Sequence, residues 1–559
     1  MPAFVRLGIV AVVAVHVALC VWGGWRHSPT VDEPAYLASG ISHWEFGRFE
    51  LCRVSPPLVR LVAAVPVRWA GPRLDWGRYE TSPGVRAEHA VGHDFLVSNG
   101  QDAFWLFTLG RWACIPFSLL GAWVSYRWAD ELFGRASAFA VLVLWSFSPN
   151  VLAHAQLLTP DVGVTALSLA TCYAYWRWAQ RPTWPRAGIS GGAFGLAVLA
   201  KTNAVILGPA LVVGWCLHAA AEKRLRRGGS LVQFVASLLL SAYVVNLGYG
   251  FEGSMRPLGR YEFVSRTLSS RESPNRFRGT ALAALPVPFP AAFIEGIDLQ
   301  RRDFENEDRR MKTYVRGKWY DHGWWWYYLY AIVVKVPVGT WVLAIFGVFP
   351  AILRRSPQRL QCACYVAIPG AALFGLASLQ TGFGHGLRYI LPALPFAFLI
   401  GGAALSCASA FWARALSVAA LAATVVSSLS ICPHSMSYFN EPAGGARAGH
   451  FHLLDGNVDW GQDLFYVREW IDDHPDAWPV HVAYWGLLPL EEMGVKLPPL
   501  ELDADMSPRP GWYLISVNHL RKEFRLGRPE LAQFLERAPA GRVTYAIVIY
   551  HVPERAAGR

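Results

Sequence analysis

Between residues 5 and 432 the chain returns repeatedly to apolar runs of about twenty residues. A helix rises about 1.5 Å per residue, so each run is long enough to cross the ~30 Å hydrocarbon core of a bilayer. The runs predict eleven transmembrane helices, at about 5–25, 104–126, 137–155, 161–179, 187–200, 203–220, 231–250, 328–352, 361–379, 389–408 and 414–432. The run at 187–200 is short and carries Gly191, Gly192 and Gly195. The first run reads as an uncleaved span: Leu19 stands where a signal or lipoprotein site wants a small residue, and no A-x-A follows.

Composition fits the bilayer as solvent. Hydrophobic residues make up 53% of the chain and charged residues only 16%, a balance soluble domains of this size rarely show. The 25 Trp and 21 Tyr suit the headgroup zone. The net charge of +11 does not read as a nucleic-acid face, because the Lys and Arg cluster in short loops between apolar runs. With the N-terminus inside, those loops hold Arg127 and Arg135; Arg177, Arg181 and Arg186; Lys223, Arg224, Arg226 and Arg227; Arg354, Arg355 and Arg359; and Arg414, the positive-inside pattern. Segments 26–103, 251–327 and 433–559 then lie outside. The expectation is an all-α polytopic membrane domain over 1–432, followed by a small extracytoplasmic α+β domain over 433–559 with strands at "VHVAYWG", "GWYLISV" and "TYAIVIYHV". "AYLASGISHWEFG" and "ALAALPVPFPAAFIEGI" read as amphipathic stretches on the membrane surface. The nine cysteines lie mostly in apolar runs and read as small core residues. No P-loop or solenoid repeat is present.

The notable charges gather at the outer ends of the spans. In "HSPTVDEPAYLASG" (27–40), Asp32 and Glu33 follow the first span, and Pro34 suits the first helical position. The pair either caps a surface helix or supplies a catalytic base. Asp161 opens the fourth span after Thr159-Pro160, with the same two readings. A carboxylate at bilayer depth costs ~2.5–3.5 kcal/mol unless it faces a polar cavity. Lys201 begins the turn "KTN", Arg388 follows "QTGFGHG", and Lys335 lies in "WWWYYLYAIVVKVPVGTW". Singly, each reads as a snorkelling side chain. Together they predict a cationic outer cavity facing acidic groups.

A sugar carried on a polyprenyl phosphate suits such a cavity. The lipid needs the membrane, the phosphate needs Lys201, Arg388 and Lys335, and the acceptor hydroxyl needs a carboxylate base. A transporter or flippase of lipid-linked sugars is the first alternative; it calls for mid-span charges and paired inverted halves. A non-catalytic scaffold whose tail binds a partner is the second. In the tail, "DGNVDWGQD" offers Asp455, Asn457 and Asp459, but Trp460 stands where an EF-hand needs Gly, and no Glu stands at the twelfth position. These residues read as turns pinning the tail to the membrane domain. No residue is assigned to a metal, and a divalent cation stays open as a cofactor. His385, His450 and His452 read as surface or structural residues.

"DEPAY…SG" after the first span, "SPPL" about twenty residues later, "LLTPD", "LAKT" and "LRYILPALPF" resemble the GT-C glycosyltransferases. Their order is similar to that of the bacterial protein O-mannosyltransferase and aminoarabinose-transferase group, as is "YFNEPAGGARAGHFHLLDGNVDWGQDL" at 438–464. The resemblance implies an inner-membrane enzyme of bacteria. It would move a hexosyl or pentosyl unit from a polyprenyl-phosphate donor to a hydroxyl of a protein, lipid or glycan on the extracytoplasmic face, inverting the sugar carbon. It aligns Asp32 with the acidic residue that acts as base or orients the acceptor, Glu33 with its neighbour, and Asp161 with the second acidic position. Lys201 and Arg388 would face the lipid phosphate. Two features depart from the pattern: Ser55 replaces a His common before Pro-Pro, and the tail lacks the β-trefoil of eukaryotic relatives.

Overall fold

A computed structural model describes residues 3–221, 228–305, 312–353, 357–379, 384, 386–407, 410–486, 497–498, 500–504, 506–524 and 527–554. Lys223, Arg224, Arg226, Arg227, Arg354, Arg355 and His385 lie outside the described residues. The first apolar run is α1 (Ala3–Arg26), and the segment 26–103 carries α2 (Glu33–Phe46), α3 (Leu58–Trp69) and α4 (Glu88–Asn99). Next come α5 (Asp102–Phe133), α6 (Arg135–Ser146), α7 (Pro149–Ala155), α8 (Pro160–Gln180), α9 (Trp184–Ala200), α10 (Leu207–Ala221) and α11 (Gly228–Gly248). After the segment 251–327, with α12 (Ala291–Glu305), follow α13 (Tyr327–Lys335), α14 (Val338–Leu353), α15 (Pro357–Leu379), α16 (Leu394–Cys407) and α17 (Phe411–Leu429).

Each of the eleven apolar runs is therefore helical. Among the described residues, four helices are by themselves long and apolar enough to cross a membrane, or up to six if each bent pair is one span. The bent pairs are α6–α7, broken by 56°, and α13–α14, broken by 112°. Proline explains both: Pro149 opens α7 and Pro337 precedes α14, and neither can donate the backbone bond that would continue the helix. A break within the apolar zone frees carbonyls that must find donors. At the sharper break, the Asn440 amide donates to the carbonyls of Val333 (2.6 Å) and Val336 (3.0 Å), and the Asn150 amide to that of Lys335 (2.7 Å).

In α1 the buried residues His16, Cys20, Gly23 and Gly24 form one stripe, while Phe4, Leu7, Val10, Trp22 and Trp25 are exposed, as a lipid-facing surface requires. The glycines of the short span serve close packing. A Cβ on Gly191 would stand 2.3 Å from the Ser237 carbonyl oxygen of α11, and one on Gly195 would stand 2.6 Å from the Val244 Cβ. Small residues four apart let helix backbones approach where lipid offers no hydrophobic drive between helices. Gly191→Leu is expected to lower stability by about 1–3 kcal/mol. Gly192→Ala, with nothing within 4 Å of the new carbon, is expected to be neutral or stabilising. Thermal unfolding of the purified variants in detergent checks the contrast; equal melting points would sink the packing account.

Two short antiparallel ladders lie in the segment 251–327: β1 (Arg256–Pro257) with β2 (Pro286–Val287), and β3 (Thr313–Val315) with β4 (Lys318–Tyr320). The tail contains α18 (Gly445–His452), α19 (Leu464–Asp473) and a four-stranded sheet. Its strands are β5 (Val480–Ala483), β6 (Gly511–Ser516), β7 (Gly541–Arg542) and β8 (Ile547–Val552), in the order β5-β6-β8-β7. β5 runs parallel to β6 and the other pairs are antiparallel. Side chains alternate across the sheet. Leu514, Ile547 and Ile549 pack with Val467 of α19, whereas Tyr513, Ile515, Val548 and Tyr550 join the large apolar core that continues through the helices of 1–432.

Four of the cysteines, Cys20, Cys52, Cys114 and Cys172, are buried, as expected; Cys216 is exposed. The stretch expected to lie on the membrane surface as α2 is instead largely enclosed, with Leu37, Ala38 and Ile41 in the core. The neighbouring helices α3 and α4 provide that cover: a Cβ on Gly40 would stand 2.3 Å from the Arg60 carbonyl oxygen, and one on Gly92 would stand 2.6 Å from the Pro34 carbonyl carbon.

Candidate active site

Asp32 occupies the N-cap position of α2 yet makes no capping bond with its side chain. Its carboxylate reaches across 356 residues of sequence and accepts from Arg388 Nη1 at 3.0 Å. Both side chains are partly open, at 24% and 18% exposure. Asp161, in the first turn of α8, is buried and accepts from Lys201 Nζ at 2.7 Å. Its second oxygen, Oδ2, is buried with no hydrogen-bond partner among the described residues. Loops far apart in sequence thus bring together two carboxylates and two cations.

Aromatic faces surround the cations. The Arg388 guanidinium lies 4.1 Å from the Trp460 ring centre and 5.4 Å from that of Tyr389, and Lys201 Nζ lies 4.7 Å from the Tyr389 ring. Such contacts strengthen when desolvated. Tyr36, one turn into α2, is partly buried in the electrostatic field of Asp32, Arg388 and Asp161; desolvation first, then Asp32, pushes its phenol well above the usual range. It is therefore a neutral hydrogen-bond donor at the cluster. His154 interacts electrostatically with Asp161, Arg388, Lys335 and Lys201. Its Nδ1 is buried without a partner among the described residues.

Two of the expected site residues are committed elsewhere. Glu33 is fully buried and accepts five bonds: from Thr30 N (2.8 Å) and Oγ1 (3.0 Å), Arg111 Nε (2.8 Å) and Nη2 (2.5 Å), and Leu158 N (3.1 Å). A carboxylate offers about four lone-pair sites, so Glu33 has no free position from which to take a proton. Arg111 also donates to the carbonyls of Gly24 (2.9 Å), His27 (2.6 Å) and Ser28 (2.9 Å), tying the first loop to α5. Lys335, buried at the α13–α14 break, donates to the carbonyls of Met436 (2.9 Å) and Asn457 (2.5 Å) and faces the Phe439 ring at 4.5 Å. Asn457 in turn accepts from the Leu387 amide at 3.0 Å. Lys335 therefore supports the turn that presents Arg388, rather than standing in the cluster.

The tail pins follow from the same segment. The carbonyls of Gln462 and Trp460 accept from the amides of Ser28 (3.1 Å) and Val31 (3.0 Å). Asp459 is enclosed, accepts from Ser516 and from the Gly461 amide (2.9 Å), and is pushed up to about 8 by burial, then by Asp463 and Asp455. His452 is bonded to Tyr330 and to the Ala443 carbonyl (2.9 Å), a structural role. Residues not singled out from sequence but present at the cluster are Tyr36, His154, Tyr389 and Trp460. Three of them lie inside motifs quoted above, Tyr36 in "DEPAY", Tyr389 in "LRYILPALPF" and Trp460 in the 438–464 stretch, whereas His154 carries no such signal. A cavity of about 300 Å³ between the segments 26–103 and 251–327 is separate; Glu50, Arg53, Glu252, Arg256 and Glu295 line it, and the four charged residues of the cluster do not.

Residues 107–248 match the family model described as dolichyl-phosphate-mannose-protein mannosyltransferase. The matched segment holds Arg111, Asp161 and Lys201. No curated protein matches the chain. Among solved structures, ArnT from Cupriavidus metallidurans in the apo state is similar at 14% identity and TM-score 0.47, with 97% of each chain covered. The same protein bound to undecaprenyl phosphate is similar at 13% identity and TM-score 0.46, also with 97% of each covered. An oligosaccharyltransferase from Archaeoglobus fulgidus is similar at 11% identity and TM-score 0.41, covering 75% of this chain and 56% of that one. The family match bears out the resemblance to the GT-C glycosyltransferases carried by the motifs.

Proposed function

We propose that this chain, a glycosyltransferase of the GT-C type, transfers a sugar from a polyprenyl-phosphate donor to an acceptor hydroxyl on the extracytoplasmic face of a bacterial inner membrane. One observation carries the reading: Asp32 stands where a cap would stand, does not cap, and pairs with Arg388. Asp161 and Lys201 form the second pair beside it, so two negative and two positive charges cancel in the resting cluster. An incoming phosphate competes for Arg388, because guanidinium binds phosphate bidentately and strongly. Arg388 turning to the phosphate releases Asp32 as a base.

The acceptor oxygen then attacks the sugar carbon while its proton passes to Asp32. The bond from that carbon to the phosphate oxygen breaks, and the phosphate leaves with the electron pair. Lys201 and Arg388 stabilise the charge on the leaving phosphate. A single displacement inverts the sugar carbon. Glu33 acts as a positioning residue through Arg111, and Lys335 positions the turn of Arg388. Residues 433–559 form the outer part of the enzyme and supply Trp460 as a wall of the site. The transporter reading has less support, because the charged pairs collect at span ends rather than mid-span.

The test is transfer of radiolabelled sugar from a panel of polyprenyl-phosphate donors by purified protein in lipid vesicles. Label is expected in an acceptor-bound product, and Arg388→Ala is expected to raise the KM for the donor at least tenfold, more than it lowers kcat. A folded parent that transfers nothing across the panel, yet moves labelled donor across the bilayer, would overturn the enzyme in favour of a flippase.

A further inference from the structure

A second cluster of polar groups, two buried and one, His434, partly buried, lies where three distant segments meet: His27 just after α1, His434 five residues after α17, and Asp463 at the start of α19. One ligand atom from each lies within 4.8 Å of those of the other two. His27 is 3% exposed and Asp463 is fully buried. His27 Nε2, His434 Nδ1 and Asp463 Oδ1 are all buried, with no hydrogen-bond partner among the described residues. His434 Nδ1 and Asp463 Oδ1 stand 3.7 Å apart, too far for a hydrogen bond and within ion-pair distance only when the imidazole is protonated. Three orphaned polar atoms converging in one place are costly unless something binds them.

The outer atoms of two of these residues are already held in the way a metal site holds its ligands. His27 Nδ1 lies 3.0 Å from the Gly23 carbonyl, which sets the tautomer with Nδ1 protonated and the Nε2 lone pair free. Asp463 Oδ2 accepts from Thr544 Oγ1 at 2.5 Å, which orients the carboxylate. Ligating imidazoles and carboxylates are ordinarily fixed by such outer bonds. The rings of Tyr466 and Tyr545 pack on His434 at 4.7 and 5.8 Å and shield the place from solvent.

We propose that His27, His434 and Asp463 bind a divalent transition metal of the zinc class, clamping the first external loop and the end of the last span to the C-terminal tail. Two imidazole nitrogens and one carboxylate oxygen are a zinc-type donor set, with one position left for water. Bonds of ~2.0–2.2 Å place tetrahedral ligand atoms roughly 3.3–3.5 Å apart, so the side chains need draw in by only about 1 Å. The clamp sits five residues before Asp32 and three after Trp460. It would hold both sides of the candidate active site in register, without touching the reacting atoms.

The full chain, purified in detergent and passed into metal-free buffer, is expected to carry about one zinc per chain by elemental mass spectrometry, after incubation with zinc if not before. His434→Ala and Asp463→Asn are expected to lower that content at least tenfold while eluting as monodisperse protein. A chelator is expected to lower the parent's melting temperature, and added zinc to restore it, with no such response in His434→Ala. Should both variants aggregate, Co²⁺ replacement in the parent decides: absorption bands of a tetrahedral nitrogen–oxygen site are expected. A parent with less than a tenth of an equivalent after zinc incubation, a monodisperse variant that keeps its zinc, or a parent without cobalt bands would overturn the proposal. None of these readings depends on transfer activity.

Discussion

Asp32→Asn is expected to slow sugar transfer by about 10²–10⁴-fold, the usual worth of a general base, while leaving the protein folded. Asparagine has the same shape and is as good a residue at a helix N-cap, so α2 is not compromised. The position is partly open, which limits the cost of leaving Arg388 without its partner. What asparagine cannot do is take the acceptor proton. The comparison is of initial rates at saturating donor, with parent and variant matched in melting temperature. If the variant transfers at the parent rate, the base is not Asp32; Asp161→Asn would then be the next variant to measure. A loss confined to KM would instead mean that Asp32 orients the acceptor.

Arg111→Met is expected to cost about 3–5 kcal/mol of stability, because it leaves the fully buried Glu33 carboxylate without its counter-charge. It also removes donors from the carbonyls of Gly24, His27 and Ser28. The double variant Glu33→Leu with Arg111→Met is expected to recover part of the loss, since a buried pair replaced by apolar residues is often tolerated. Arg26→Ala is the control. Its pair with Glu469 is solvent-exposed, and such pairs contribute about 0–1 kcal/mol. Unfolding in a denaturant series on detergent-solubilised protein gives the stability of the three variants relative to the parent. Arg111→Met falling within the range of the control would sink the account of Glu33 as a buried positioning residue.

The two predictions concern neighbours in sequence with opposite fates, and that divergence was not legible in "VDEPAY". Adjacent residues at a helix start point about 100° apart. One carboxylate consequently faces the opening between α2 and the turn of Arg388, and the other faces α5. Charge type and position along the spans were enough to gather Asp32, Asp161, Lys201 and Arg388 as candidates. They were not enough to exclude Lys335, whose commitment to the carbonyls of Met436 and Asn457 depends on a 112° break and on how the tail folds back. That Tyr36, His154 and Trp460 meet at the cluster was equally out of reach, since an aromatic or His in an apolar protein is ordinarily core and a motif does not say what packs against it.

By itself the sequence determined where the helices lie, which long segments separate the apolar runs, and which charged residues lie near the ends of those runs. Those properties are local: hydrophobic length, proline placement and loop charge act on each segment separately, so they can be read without knowing what packs against it. Only the tertiary structure decided which charges pair, which carboxylate is saturated, and that His27, His434 and Asp463 meet. Pairing and saturation depend on contacts across tens to hundreds of residues, and on burial, which raises the cost of every unpartnered polar atom. Close helix packing, fixed by positions such as Gly191 and Gly195, sets those contacts, and no single segment encodes them.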